Sequence, residues 1–375
     1  MRKLLFKIHH YLALAAVIPL LLIVLTGSLL VFKFEIDSLL MPQVVTLDRQ
    51  GEMRLSFNEL ILRINQGFPE YEIGSWEIFK DGLEADRVYL IKKGEEHWYK
   101  VHFDPYVGEA LDRPMLLSSY LTDWLLELHY TLLLNEEFES MPHLGVILGL
   151  VFAIVLCLLG ITGLIIYRKF WKKFFTLHWD KRMMAMARSL HRLFGIWCSP
   201  VLLIIGLTGV YFNLIAYLEE AEEHAEGGHY IVNKRMYNDQ LDFDALFRDS
   251  QTRISDFRPT YLLMPYEPGL SITFFGEVPF NNLFASQYSS TVNYAPDSGD
   301  FQSIYDIREA GILKQSVDSF RTLHFGNFGG LVSRIIWCIA GLMMSFLGIS
   351  GCYMWAARQF KKRKKATLEI AGAHV

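Results

Sequence analysis

Four long apolar runs divide the chain, and each exceeds the roughly 20 residues that a helix needs to cross a bilayer core. We predict membrane spans over residues 1–34, 142–168, 190–217 and 329–357. The first apolar run is too long for a signal peptide, and no small-x-small cleavage site follows Thr26-Gly27-Ser28. The pattern therefore predicts an all-α bundle of four transmembrane helices.

The two segments between paired spans, 35–141 and 218–328, have the mixed periodicities of α+β domains. Helical spacing occurs at 56–67 and 243–250, and alternating runs bounded by turn residues predict strands at 72–80, 87–93, 97–104, 260–265 and 270–275. The apolar stretch 116–134 predicts an interfacial helix lying on the outer membrane face.

Basic and acidic residues are concentrated in different segments of the chain, although the formal net charge is only −4. The predicted loop 169–189 and tail 358–375 are strongly basic, whereas segment 35–141 has 21 acids and 9 bases, and segment 218–328 has 17 acids and 8 bases. Basic loops stay in the cytoplasm. We therefore expect a multi-pass protein of a bacterial inner membrane with cytoplasmic termini and periplasmic domains, and with membrane lipid as a partner of its basic tail.

Several kinds of chemistry lack their usual signals. The four cysteines all lie in predicted spans, and there is no C-x-x-C-H motif for covalent haem. Walker, G-x-S-x-G and dinucleotide fingerprints are also missing from the sequence. We expect no NAD or ATP site, and no nucleic-acid partner.

The two halves of the chain resemble each other, which predicts an internal two-fold repeat with parallel halves. The interval from His9 to Thr26 equals that from His191 to Thr208. Each half also carries Asp-x5-His-aromatic before its second span. The spans close with Thr or Ser followed by Gly, and we expect these small pairs to serve close packing: Thr26-Gly27, Thr162-Gly163, Thr208-Gly209 and Ser350-Gly351.

Four histidines recur at matching positions in the repeat. A haem that is not covalently attached needs one neutral imidazole from each of two facing helices. We predict one axial pair, His9 and His191, at the cytoplasmic starts of spans one and three. We predict a second pair, His129 and His324, at the outer starts of spans two and four. Two haems so placed would carry electrons across the roughly 30 Å core.

Two further histidines are alternative ligands. His10 neighbours His9 but faces about 100° away on a helix, so only one of the two points inward, and the repeat favours His9. His143 begins the second span, where Leu331 takes the corresponding place in the fourth. Capping of a helix end is the competing interpretation for His143.

The chain resembles a known family at two motifs. Phe103-Asp104-Pro105-Tyr106-Val107-Gly108-Glu109 resembles the end of a PepSY domain. Leu323-His324-Phe325-Gly326 followed by an apolar run ending in G-x-x-G-x-Y-x-W is similar to the PepSY-associated transmembrane helix family. The second segment departs from the PepSY ending at residues 294–300. Four spans with two periplasmic PepSY-like domains are most similar to inner-membrane siderophore reductases of the FoxB type.

This resemblance implies two b-type haems and reduction of ferric siderophore in the periplasm, with a quinol or a cytoplasmic flavoprotein as electron donor. The expected activity is that of an oxidoreductase, a ferric-siderophore reductase. Two other hypotheses stay open: a membrane-anchored PepSY binding or regulatory module, and a haem-bearing subunit that serves another periplasmic partner.

Overall fold

The computed structural model describes the whole chain apart from residues 1, 139, 168, 170, 171, 173, 178, 180, 181, 226–229 and 373–375. Parts of the predicted loop 169–189 and the end of the tail 358–375 thus lie outside the described residues. The chain divides into two compact units. The helical unit comprises Met1–Phe32, Leu125–Ala221 and Leu323–Val375, and the sheet unit comprises Lys33–Trp124 and Glu222–Thr322.

Four helices of the helical unit are long and apolar enough to cross a membrane, which confirms the prediction of four long apolar helices. They are α1 (Arg2–Leu30), α6 (Leu144–Ile166), α7 (Met183–Ala225) and α10 (Gly330–Gly372). Both α7 and α10 are 43 residues long. Both helices extend beyond the predicted spans 190–217 and 329–357, because charged residues end the apolar run but not the helix.

Side chains from all four spans share one apolar core. Leu156 of α6, Cys198 and Leu202 of α7, and Ala340 and Met344 of α10 are buried together, with Leu20 and Val24 of α1 packed against them. Proline lies inside α1 at Pro19 and inside α7 at Pro200. Neighbouring helices satisfy the backbone groups that such prolines leave in a membrane.

The sheet unit contains one antiparallel sheet to which both predicted domains contribute. Its strands are β1 (Tyr71–Glu77), β2 (Asp86–Lys92), β3 (Trp98–Asp104), β4 (Glu109–Ala110), β5 (Met115–Leu116), β6 (Arg258–Leu263), β7 (Ile272–Glu277), β8 (Ser290–Tyr294) and β9 (Phe301–Tyr305). The order is β4-β3-β2-β1-β6-β7-β8-β9, with β5 beside β3. The two parts of the sheet are joined by the antiparallel pairing of β1 with β6, in which Ser75 lies opposite Leu263 and Glu77 opposite Tyr261.

Two amphipathic helices cover one face of this sheet, α4 (Phe57–Gly67) and α8 (Phe243–Arg253). Ser56 begins α4 by accepting a hydrogen bond from the Glu59 amide, and Asp242 begins α8 in the same way. Trp76, Leu262 and Phe274 are fully buried beneath the helices. The sheet unit also contains two short helices that follow α1, α2 (Lys33–Leu40) and α3 (Pro42–Val45).

Two short helices precede the second and fourth spans, α5 (Leu121–Thr131) and α9 (Ile312–Phe325). The predicted helix over 116–134 was too long, because residues 132 and 133 have φ of 55° and 59° and end α5. Gly326 ends α9 at φ 69°, a left-handed conformation that glycine adopts without strain. The Trp337 indole N–H then donates to the Leu323 carbonyl at 2.8 Å. Each short helix is therefore separated from the span that follows it.

Candidate functional site

The four predicted histidines lie at two levels of the helical unit. His9 is on α1 and His191 on α7, as predicted. His129 and His324 lie on α5 and α9 rather than at the starts of the spans, because α5 and α9 end before α6 and α10 begin. The α1 helix rises about 1.5 Å per residue. The 17 residues between His9 and Thr26, which lies beside His129, therefore separate the levels by roughly 25 Å.

Each histidine ring is bound to the end of a neighbouring span through its Nδ1 atom. His9 Nδ1 lies 2.9 Å from the Thr162 hydroxyl, and His191 Nδ1 lies 2.8 Å from the Ser350 hydroxyl. His324 Nδ1 lies 2.8 Å from the Thr208 hydroxyl. The same kind of contact thus recurs between three different pairs of helices.

His129 uses a backbone acceptor instead. Its Nδ1 lies 2.7 Å from the Ile23 carbonyl oxygen and 3.3 Å from the Thr26 hydroxyl. A carbonyl oxygen only accepts hydrogen bonds, so the proton of this neutral ring is on Nδ1.

The hydroxyl groups fix the same tautomer in the other three rings. Thr162 donates its own proton to the Leu158 carbonyl at 2.6 Å. Thr208 and Ser350 likewise donate to carbonyls of their own helices. With its proton on the backbone carbonyl, each hydroxyl can accept from the imidazole, and this arrangement places a proton on Nδ1 and a lone pair on Nε2. That is the form in which a neutral histidine ligates a metal through Nε2.

The glycine that follows each hydroxyl residue lies against the same ring. A Cβ at Gly163 would lie 3.6 Å from His9 Cε1, one at Gly351 would lie 3.7 Å from His191 Cε1, and one at Gly209 would lie 3.9 Å from His324 Cε1. At Gly27 the corresponding distance to His129 Cε1 is only 2.7 Å. We call each hydroxyl–glycine pair with its histidine a histidine cradle.

The cradles are what the sequence interpretation missed. It assigned the Thr-Gly and Ser-Gly pairs to helix packing alone. The signal was present, because every pair lies in the same repeat as a histidine, but sequence spacing does not show which side chain a helix end contacts.

The rings of His129 and His324 are in contact, with centroids 6.2 Å apart and planes inclined by 64°. Bonds from a metal ion to imidazole nitrogen are about 2 Å long, so two imidazoles on opposite sides of one ion have centroids about 6 Å apart. The observed separation fits a single metal ion between the two rings.

His9 and His191 line a common cavity of about 920 Å³ inside the helical unit. Ligand pockets commonly measure about 300–1,000 Å³, so this cavity is large enough for a sizeable ligand. Its walls are mainly apolar, with Leu20, Leu159 and Met344 among them. Glycines at 160, 163, 195 and 348 widen it.

The two alternative histidines have other surroundings. His10 does not line this cavity, and its ring stacks on Phe6 with centroids 6.1 Å apart. His143 is the N-cap residue of α6 without a side-chain capping bond, and its Nδ1 lies 3.0 Å from Glu220. His9 is therefore the member of the His9–His10 pair that faces the cavity.

Across the described ranges, no group of three or more His, Cys, Asp or Glu side chains is placed to hold a metal ion. Two-histidine sites suit a metal that brings its other ligands with it. Haem does so, since the porphyrin supplies four nitrogens and the protein supplies the axial positions. The donor set, the tautomers and the 6.2 Å separation of His129 and His324 therefore fit haem.

Four apolar helices and a separate antiparallel sheet define a membrane protein with paired histidines in its helical unit. The family model described as the PepSY-associated TM region matches residues 6–358, so the chain belongs to this family. No curated protein gives a significant match to the chain.

Proposed function

We propose that this protein is a haem-dependent electron-transfer protein of the bacterial inner membrane that reduces ferric siderophore in the periplasm and releases ferrous iron. The observation that supports it most is the 6.2 Å separation of the His129 and His324 rings, each bound through Nδ1 and each with its Nε2 lone pair available. A membrane anchor has no need for such pairs, and this argues against a simple PepSY binding module.

His9 and His191 would hold one haem, and His129 and His324 a second. Bound haem supplies a one-electron carrier at each level. The protein side chains would position and shield the haem. Hydrogen bonds from Nδ1 orient the histidine rings and raise the basicity of Nε2, and the apolar walls around Leu20 and Leu159 exclude water. The described residues supply no flavin or nicotinamide motif, so a quinol or a cytoplasmic flavoprotein is the proposed donor.

The orientation rests on charge. Basic residues cluster at the His9 end, whereas both segments that form the sheet unit are net acidic. The positive-inside rule then places the His9 end and both termini in the cytoplasm, and the sheet unit in the periplasm. The His129–His324 pair would be the one nearer to an extracytoplasmic substrate.

The proposed organisation is a duplicated half, with two spans and one PepSY-like domain in each. The recurrence of the histidine cradles supports it, because His9–Thr162 corresponds to His191–Ser350, and His129–Thr26 to His324–Thr208. In the sheet unit, α4 with β1–β5 and α8 with β6–β9 would be the two related domains.

Reduction suits the proposed substrate. Ferric iron is a hard cation that siderophore oxygens bind tightly, and ferrous iron is softer and held less strongly. One electron taken up by the bound ferric ion therefore releases the metal without breaking a covalent bond of the siderophore.

Stopped-flow mixing tests the proposal. The purified protein is reduced with dithionite, freed of remaining reductant by anaerobic desalting, and mixed with a ferric hydroxamate siderophore. We expect the reduced α band to disappear as a ferrous chelator reports iron release, with one electron lost per iron released. A matched gallium siderophore is the control, since gallium(III) is not reduced. A haem protein that reoxidises at the same slow rate with iron and gallium complexes would instead be a subunit serving another partner.

A further inference from the structure

The cavity shared by His9 and His191 has a strongly cationic mouth. Six basic side chains line it at the end where α1 and α7 begin, and no described residue that lines the cavity is acidic. They are Arg2, Lys3, Lys7, Arg188, Arg192 and Arg358. Like charges gathered around one cavity repel one another and create a positive potential that favours an anionic ligand.

Arg192 shows that this compensation is incomplete within the described protein. It directly follows the cavity histidine His191, and its Nη2 donates to the Thr176 carbonyl at 3.0 Å. Its Nε atom is buried and has no hydrogen-bond partner among the described residues. A buried guanidinium N–H without an acceptor is unfavourable, and carboxylate and phosphate are the acceptors that match the geometry of guanidinium.

The polarity of the cavity is one-sided. Apolar side chains such as Leu20, Leu156 and Leu202 line the part away from the mouth. A ligand that is apolar over most of its surface and carries carboxylates at one edge can enter in only one orientation. Haem b has this distribution, with two propionate groups on one edge of an apolar macrocycle.

We propose that the basic mouth, including Arg192 with its buried Nε–H group, binds the propionate carboxylates of the haem held by His9 and His191. This inference rests on the proposed function. It assigns the basic cluster to cofactor binding, whereas the charge pattern alone assigned it to topology and lipid. At the other level, His129 and His324 lie away from this cluster, so haem there would not depend on it.

The test is a titration of haem-free protein in detergent with ferric haem b and with its dimethyl ester, in which both carboxylates are blocked. A His129→Ala/His324→Ala variant isolates the cavity site, and a His9→Ala/His191→Ala variant isolates the other. Charged hydrogen bonds of ordinary strength predict that the ester binds the cavity site about 10- to 100-fold more weakly than haem b. Arg192→Gln should weaken haem b at this site and leave the ester unchanged. Lys361→Gln, a basic residue of α10 that does not line the cavity, is the matched control and should change neither ligand.

The outcomes separate the two proposals. Equal affinities of haem b and ester at the cavity site, or equal losses for both in Arg192→Gln, would overturn the propionate assignment while leaving the haem function intact. An equal loss would mean that Arg192 acts on the protein or on lipid phosphate. Failure of the unsubstituted protein to bind either ligand would overturn the proposed function itself.

Discussion

In the cradle of His129, Gly27 lies nearer to the ring than the glycine of any other cradle. A substitution at Gly27 therefore displaces this one ring. A Cβ introduced by Gly27→Ala would lie 2.7 Å from His129 Cε1 and 3.1 Å from its Nδ1. Carbon atoms in contact are about 3.5–4 Å apart, so the ring must retreat by about 1 Å or the two helices must separate. Metal–ligand distances tolerate changes of only about 0.2 Å. We therefore expect Gly27→Ala to abolish axial ligation by His129.

Gly209→Ala is the matched control in the corresponding cradle. A Cβ there would lie 3.9 Å from His324 Cε1 and 3.5 Å from the Ala153 Cβ, which are ordinary contacts. Both substitutions make the same change in helix propensity, so any difference between them reports the contact with the ring.

Haem stoichiometry is the assay, by pyridine haemochrome against protein concentration, together with the low-spin absorption spectrum. We expect two bis-histidine haems per chain in the unsubstituted protein and in Gly209→Ala, and one in Gly27→Ala. Overpacking should also lower the stability of Gly27→Ala by about 1–3 kcal/mol. Two intact low-spin haems in Gly27→Ala, or an equal loss in both variants, would refute the reasoning.

Two further predictions concern a cradle hydroxyl and the sheet unit. Thr208→Val removes the acceptor of the His324 Nδ1–H, so the ligand becomes less basic. The midpoint potential of the haem should then rise in Thr208→Val, whereas Thr208→Ser should keep the potential of the unsubstituted protein. Redox titration of both variants checks this. Identical potentials in the two variants would contradict the prediction. In the sheet unit, Lys100 is 3% exposed and pairs with Asp123, which also pairs with Lys33 at 2.9 Å. Burial alone would raise the pKa of Asp123, but the two ammonium groups hold it below its usual value. A depressed carboxyl pKa stabilises the fold above the unfolded value of about 4, and this contribution is lost as pH falls through the folded pKa. Asp123→Asn should therefore destabilise the unit by about 3–5 kcal/mol at pH 7, and the difference from the unsubstituted protein should shrink below about pH 4. Thermal unfolding of the full chain, followed by tryptophan fluorescence, measures this difference in stability. Glu95→Gln is the control and should have little effect, because it breaks the more exposed pair with Lys92. A stability difference for Asp123→Asn that does not change with pH would contradict the prediction.

Local patterns carried enough information for most elements. The apolar runs predicted the four long apolar helices, and alternation predicted β1–β3, β6 and β7 to within a few residues. The predicted helix over 56–67 begins at Phe57, with Ser56 as its cap. These features depend on residues that are close in sequence, which is why a single chain suffices to predict them.

Long-range arrangement was harder to predict. The pairing of β1 with β6 joins segments separated by more than 180 residues, and no turn or spacing signals it. Strand β9 was not predicted either, because Phe301 and Ile304 are exposed on a strand without an alternating buried face. The separation of α9 from α10 depends on Gly326, whose positive φ is a property of the backbone rather than of the hydrophobic pattern.

The histidine pairing was predicted from the repeat, yet its supporting contacts were not. Sequence alone indicates that His129 and His324 correspond, but not that Ile23 and Thr208 accept from their Nδ1 atoms. Those contacts need the rotation of each helix about its axis, and several rotations are compatible with one apolar pattern.

The most direct measurement is the electron paramagnetic resonance spectrum of the oxidised, purified protein, recorded beside its optical spectrum. We expect low-spin ferric signals typical of bis-imidazole haem, from two centres per chain, with one centre lost in His129→Ala or His324→Ala and the other in His9→Ala or His191→Ala. Protein that stays colourless after expression with ample haem, or whose haem signals are unchanged in all four variants, would contradict the account.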